Sequence, residues 1–254
     1  MSWTGTFKEN LKLCYGINKD TIHGTMILHD RETLELLAFM DGKAVTALRT
    51  GAVGGLSMKY LAKESADRVG IVGTGVQGWS HLEASIAVRD IKKVFLHNRS
   101  LEKLQTFKER IHDEYPGISV EGVDVDTLVE SSDIIVTTTT STSPVLPDLE
   151  TEAWEGKHIV AVGSYKPAML ELPEKLLQST KPIFVDTTTA LTESGDMIKA
   201  KELQGDEARF YTLEDMIQGK QGQVPYTLFK SVGMALFDLV TAKFIYEKSV
   251  CNQQ

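Results

Sequence analysis

The sequence predicts an α/β fold: a doubly wound parallel sheet plus a second, smaller α+β domain built from both chain ends. Three observations predict it. Short apolar runs at residues 69–72, 94–97, 118–120, 134–140, 158–162 and 182–185 alternate with helical patterns, the rhythm of crossovers in a parallel sheet. The first run leads directly into glycines spaced G-x-G-x-x-G, and then into a helical pattern through Leu82, Ile86 and Val88. Residues before 64 and after 190 follow a different pattern, with alternating strands at one end and a long helix at the other.

The glycine stretch, Gly73-Thr-Gly75-Val76-Gln77-Gly78, organises the middle of the chain. Gly73 allows a tight turn out of the strand, Gly75 lets backbone approach a pyrophosphate, and Gly78 lets the helix pack closely on the sheet. The phosphates then sit at the helix N-terminus, where unpaired N–H groups and the dipole favour negative charge. A second strand ends at His97, about 20 residues beyond the last glycine, where a ribose-reading residue belongs. These features predict a dinucleotide site. The nucleotide domain is expected over residues 65–189, with a helix starting after Ser100, a good N-cap, and stopping before Pro116.

Composition narrows the classes. The chain has 254 residues, 42% hydrophobic and 24% charged, with a net charge of -8. That charge argues against a nucleic-acid binder, which needs a basic face. Cys14 and Cys251 stand far apart, and the six histidines form no ligand motif, so no metal site is expected. No apolar run approaches the ~18 residues of a membrane span, and a cytoplasmic protein without membrane contact is expected.

In the first 40 residues, Leu11, Leu13 and Tyr15 alternate with polar positions, Thr25-Met-Ile-Leu28 follows Gly24, and Leu34, Leu36, Ala38 and Met40 alternate again. Residues 43–62 turn helical through Val45, Leu48, Ala52, Leu56 and Tyr60. Gly51, Gly54 and Gly55 interrupt that helix, each costing up to ~1 kcal/mol relative to alanine; close helix packing and close approach to a ligand both account for them. Residues 228–246 read as one helix with Val232, Leu236, Leu239 and Val240 on a stripe, expected to fold back onto residues 1–64. The second domain is therefore expected over residues 1–64 and 190–254.

Several side chains are candidates for chemistry. An NAD site usually carries Asp or Glu after the second strand, whereas an arginine accommodates a 2′-phosphate. Here the strand ends in His97-Asn98-Arg99-Ser100, offering an amide donor, a fixed cation and a hydroxyl. NADP(H) is thus preferred over NAD(H), unless Arg99 is an ordinary exposed loop residue. Thr137 to Thr140, with Thr138 and Thr139 at their centre, make a hydroxyl-rich strand end at the edge where the cofactor passes. Arg49 is either a surface residue with its stem on apolar neighbours or a bidentate clamp for a substrate carboxylate.

The strings Met40-Asp-Gly, Leu48-Arg-Thr-Gly-Ala52, Gly73-Thr-Gly-Val-Gln77, Asn98-Arg-Ser, Val162-Gly163-Ser, Glu171-Leu-Pro, Val185-Asp186 and Leu228-Phe-Lys-Ser-Val-Gly233 resemble the ornithine cyclodeaminase/mu-crystallin family over nearly the whole chain. The resemblance implies a Rossmann domain plus a dimer-forming substrate domain. It implies that Arg49 holds a substrate carboxylate, that Thr50, Gln77 and Arg99 contact cofactor, and that Ser231 and Gly233 lie near the nicotinamide. Val76 in the glycine loop and Gly163 after the fifth apolar run join the cofactor candidates. Ornithine cyclodeaminases carry an aspartate two residues after the Val-Gly pair, where this chain has Tyr165; that looks more like the ketimine reductase branch.

Relative to the family the chain starts several dozen residues late. The segment before it normally supplies a substrate-binding arginine and part of the second domain, and only Lys8 or Lys12 stands in for the family's lysine. A chain of this length is therefore expected to bind NADPH, to reduce imino acids poorly, and to aggregate or dimerise.

The expected activity is NAD(P)H-dependent reduction of a small cyclic imino acid to the amino acid by a homodimer. Hydride reaches the C=N carbon of a protonated imine, which requires a nearby acid, with Tyr165 and Lys166 as candidates. Two alternatives stand beside it: ornithine cyclodeaminase, which recycles NAD internally and releases ammonia, and a non-catalytic NADPH-binding protein like mu-crystallin.

Overall fold

The central strands of this chain are buried on both faces, and that is why they read as apolar runs rather than alternating ones. In the computed structural model, which describes residues 2–3, 24–220, 222 and 224–251, β4 (Arg68–Val72), β5 (Lys93–His97), β6 (Ser119–Gly122), β7 (Ile134–Thr137), β8 (His158–Ala161), β9 (Ile183–Val185), β10 (Phe210–Thr212) and β11 (Thr227–Lys230) form one eight-stranded sheet in the order β10-β9-β11-β8-β7-β4-β5-β6. Every pairing in it is parallel. The chain moves from β4 through β5 to β6, then returns to the other side of β4 with β7. That reversal is the switch point at which open parallel sheets bind their ligands. The core on the sheet includes Trp154, Ile159, Leu172, Leu176 and Leu228, all buried.

Helix α2 (Val76–Val88) follows β4 and α3 (Leu101–Glu114) follows β5, where Ser100 Oγ accepts the Lys103 N–H at 3.3 Å as its N-cap. Helix α1 (Gly42–Leu61) begins at Gly42 and carries the three glycines in question. A Cβ added at Gly51 would strike the Ser80 carbonyl, one at Gly54 the His81 ring, and one at Gly55 the Ala84 side chain. All three partners lie on α2, so close helix packing accounts for these glycines.

The chain divides into two compact units, 1–49 with 234–254, and 50–233. Residues 50–64 and 190–233, expected in the second domain, lie in the larger unit. Residues 50–64 go with α1, whose glycines pack on α2, and the later segment goes with β11. Residues 228–230, expected to start the last helix, belong to β11, which lies between β8 and β9. Leu228 and Phe229 are both buried, one on each face of the sheet, a pattern that a helix stripe mimics over four residues.

In the smaller unit, β1 (Ser2–Trp3), β2 (Thr25–His29) and β3 (Leu36–Asp41) form an antiparallel sheet, β1-β2-β3. After α4 (Val125–Ser131), α5 (Glu174–Ser179), α6 (Ala190–Glu193), α7 (Gly195–Gln204) and α8 (Leu213–Ile217) of the larger unit, helix α9 (Ala235–Cys251) of the smaller one buries Asp238 and Ala242, and Ala242 packs with Met26 and Val45. The expected stripe is overturned. Leu236 and Val240 are 53% and 58% exposed, and Val232 precedes the helix and packs on the core of the larger unit. The strand expected around Leu11, Leu13 and Tyr15 falls outside the described residues.

Candidate functional site

At the carboxyl end of β4, Gly73 adopts a φ of +103°, which glycine alone adopts without strain. A side chain at Gly78 would collide with the Gly73 carbonyl, so the turn and the start of α2 pack directly on one another. Nothing lies within 4 Å of the place a Cβ would take at Gly75. Gly75 also caps α2 without any side-chain hydrogen bond, leaving the first N–H groups of the helix open. Val76 is 45% exposed beside it. Gln77 Oε1 accepts from Ser80 Oγ at 3.3 Å.

Two neighbours brace this turn. Thr138 donates its hydroxyl to the Gly73 carbonyl at 2.8 Å and its N–H to the Val72 carbonyl at 2.9 Å, tying the end of β7 to the end of β4. Asn98, at the end of β5, donates to Thr74 Oγ1 at 2.6 Å. Arg99 beside it is exposed, and residues 97–100 contain no carboxylate. The glycine turn, Thr138 and Asn98 are thus brought together across three adjacent strands.

The loops after β7 and β8 are held from below by Glu171, which is fully buried. Its Oε1 accepts the Thr139 N–H at 2.6 Å, and its Oε2 accepts the Gly163 N–H and the Thr137 hydroxyl, each at 2.8 Å. Burial pushes the Glu171 pKa up, opposed by the Lys230 charge and the Thr139 N–H. Asp196 extends the network: its Oδ1 accepts the N–H groups of Glu171 and Leu172, and its Oδ2 lies 3.4 Å from Lys230 Nζ, both side chains fully buried. Such charges are tolerated inside a protein only when paired and hydrogen-bonded.

Asp186, at the end of β9, does the same for the segment after β11. Its Oδ2 accepts from Ser231 Oγ at 2.8 Å, Val232 N–H at 3.0 Å and Gly233 N–H at 2.6 Å. Gly233 has a φ of +82°. Burial raises the Asp186 pKa against these three donors.

Tyr165 and Lys166 sit on the loop after β8. Tyr165 is 39% exposed, and the Lys166 ammonium lies 5.5 Å from its ring centroid. Thr50 is buried in α1. Arg49 belongs to the smaller unit, where its Nε donates to Asp238 Oδ1 at 3.2 Å. Lys8 and Lys12 lie outside the described residues. Among the described residues no cluster of three His, Cys, Asp or Glu side chains suits a metal, and no helix is long and apolar enough to cross a membrane.

Residue-by-residue reading of chemistry passed over Glu171, Asp186, Asp196, Lys230 and Asp238 as site residues. For three of them a signal existed: Glu171 stands between leucines, Asp186 ends an apolar strand and Lys230 interrupts another.

Comparison with known proteins places this geometry. The model of the ornithine cyclodeaminase/mu-crystallin family matches residues 3–253. The chain belongs to that family. Among its relatives, a Delta(1)-pyrroline-2-carboxylate reductase of Bacillus thuringiensis subsp. konkukian is 36% identical over 243 residues, covering 92% of this chain and 73% of the relative. The solved Delta(1)-pyrroline-2-carboxylate reductase of Thermococcus litoralis, in complex with NADH and L-proline, superposes with a TM-score of 0.82 at 33% identity, covering 97% of this chain and 76% of that one. An archaeal alanine dehydrogenase dimer with bound NAD follows, with a TM-score of 0.81, 31% identity and coverage of 93% and 74%. Both of these solved structures carry a nicotinamide dinucleotide.

Proposed function

We propose that this chain is an NAD(P)H-dependent reductase of a small cyclic imino acid of the pyrroline-2-carboxylate type. The observation that carries the reading is the likeness, along almost the whole chain, to a solved reductase that holds NADH and L-proline together. Tyr165 supports it against an ornithine cyclodeaminase, because the aspartate of that enzyme is missing from the loop after β8.

The residues fit a dinucleotide. Open space at Gly75 and the uncapped start of α2 suit a pyrophosphate. Gln77, Asn98, Arg99 and Ser100 would hold the rest of the adenosine half, and Ser231 and Gly233 the nicotinamide half. When bound, the reduced nicotinamide supplies hydride to the carbon of the C=N bond. Arg49 fixes the substrate carboxylate by a bidentate pair. Tyr165 or Lys166 keeps a proton on the imine nitrogen, and the protonated imine is the better electrophile. NADPH is preferred, since Arg99 attracts a 2′-phosphate and no carboxylate at 97–100 repels one.

The proposed assembly is a homodimer. The smaller unit exposes Leu34, Leu36 and Phe39 by 67%, 49% and 64%, and α9 exposes Leu236, Val240 and Phe244, four residues apart on one side. Large apolar residues clustered at a surface mark association sites. Light scattering on the purified chain reads the mass directly.

The deciding experiment follows cofactor consumption with pyrroline-2-carboxylate and piperideine-2-carboxylate, with ornithine as comparison. Oxidation of NADPH or NADH by a cyclic imino acid is expected. Ammonia release from ornithine without that oxidation would make the chain a cyclodeaminase, and cofactor binding without any turnover would make it a binding protein.

A further inference from the structure

Arg49 is held in an unusual way. Its Nε, and not its terminal fork, donates to Asp238 Oδ1 at 3.2 Å. The two residues lie 189 positions apart, on α1 and α9, and their side chains keep only 12% and 7% exposure. Among the described residues, no hydrogen bond engages either Nη of Arg49. A carboxylate this well shielded is costly unless a partner requires it. Burial raises the Asp238 pKa, and the charge and hydrogen bond of Arg49 oppose that rise. The remaining face of α9 shows what the position would otherwise carry: Ala242, one turn along, is a small apolar residue packed against Met26 and Val45.

We infer that Asp238 is the positioning residue for Arg49. This rests on the proposed role of Arg49 as carboxylate clamp. Binding through Nε fixes the direction of the guanidinium, and it leaves the Nη1–Nη2 edge, whose two parallel N–H groups can take two carboxylate oxygens, unspent. A free arginine loses rotamer freedom each time it captures an anion. Asp238 removes that loss in advance, and its single contact spares both terminal donors. The pair brings together two segments far apart in sequence, so the clamp exists only once the smaller unit is folded.

The test uses the full chain with Asp238→Ala, Asp238→Asn and Arg49→Ala, alone and combined. KM for pyrroline-2-carboxylate, kcat, affinity for NADH and melting temperature are measured for each. Asp238→Ala is expected to raise KM roughly ten- to hundred-fold, the loss of one charged hydrogen bond, with kcat and NADH affinity little changed. Asp238→Asn, whose amide oxygen still accepts from Nε, is expected to fall between, and it serves if the alanine variant does not fold. Adding Asp238→Ala to Arg49→Ala is expected to cost nothing further in KM, because there is no guanidinium left to position. A wild-type KM in both Asp238 variants, or an equal loss with and without Arg49, overturns the inference and leaves the proposed activity standing. A wild-type chain that turns over no cyclic imino acid overturns the proposed activity and the inference with it.

Discussion

The main-chain N–H of Thr139 donates to Glu171 Oε1 at 2.6 Å, linking the loop after β7 to a buried carboxylate 32 positions away. Gly163, in the loop after β8, donates to the other oxygen of the same carboxylate. One side chain therefore sets the spacing of two loops at the carboxyl edge of the sheet. A Cβ at Gly163 would collide with both the Thr139 carbonyl and Glu171, so the two loops and the carboxylate fit together without slack.

Glu171→Gln is expected to be damaging although it preserves shape. Both oxygens face donors, and an amide puts its own N–H₂ against one of them. The cost is expected at about 1–3 kcal/mol, the range for a buried polar group left unsatisfied. Urea unfolding of the variant checks it, and weaker cofactor binding is expected alongside. An unchanged unfolding midpoint would mean that the carboxylate does not hold the loops.

Arg99→Ala is expected to weaken NADPH much more than NADH, since only NADPH carries the extra phosphate. Titration of both cofactors by fluorescence measures the ratio. Equal losses would show that this exposed cation reads no phosphate.

Arg49→Lys is expected to lose on the order of 2–5 kcal/mol in kcat/KM, close to the loss of the pair itself. An ammonium cannot present the planar fork, nor can it take the Asp238 contact through a side Nε. Steady-state kinetics with pyrroline-2-carboxylate decide it; wild-type kcat/KM in the lysine variant would remove Arg49 from the carboxylate site.

His158 is expected to make the fold acid-sensitive. It is buried between Ser57 Oγ at 3.1 Å and Thr227 Oγ1 at 2.8 Å, and burial, with the Arg89 charge, pushes its pKa down to about 3. Ser57 spends its own proton on the Gly54 carbonyl, so it accepts from Nε2–H and Thr227 donates to Nδ1. A neutral ring satisfies this arrangement and a charged one does not. Because the folded pKa lies below the unfolded one, the stabilisation is full above pH 6.5 and is lost as pH falls toward 3. By pH 5 the loss is about 2 kcal/mol. Denaturant unfolding at pH 7.5 and pH 5.0, for wild type and His158→Gln, isolates this share; an equal pH dependence in the two chains would assign it elsewhere.

What the sequence determined by itself was local. The turn at Gly73, the open approach at Gly75, the packing at Gly78, the N-cap at Ser100 and the runs that became β4 to β9 all follow from backbone conformation and burial within a few residues. The family strings pointed to Arg49, Ser231 and Gly233 as candidates, which no periodicity singles out. Only the tertiary structure decided where β11 goes: the apolar pair Leu228-Phe229 satisfies a strand and a helix equally, and the gap between β8 and β9 selects the strand. It likewise decided which charges are spent on structure. Asp196 and Asp238 look like surface residues until the fold buries them, Glu171, Asp186 and Lys230 stand in apolar strings, and burial forces each to find partners tens of positions away or more.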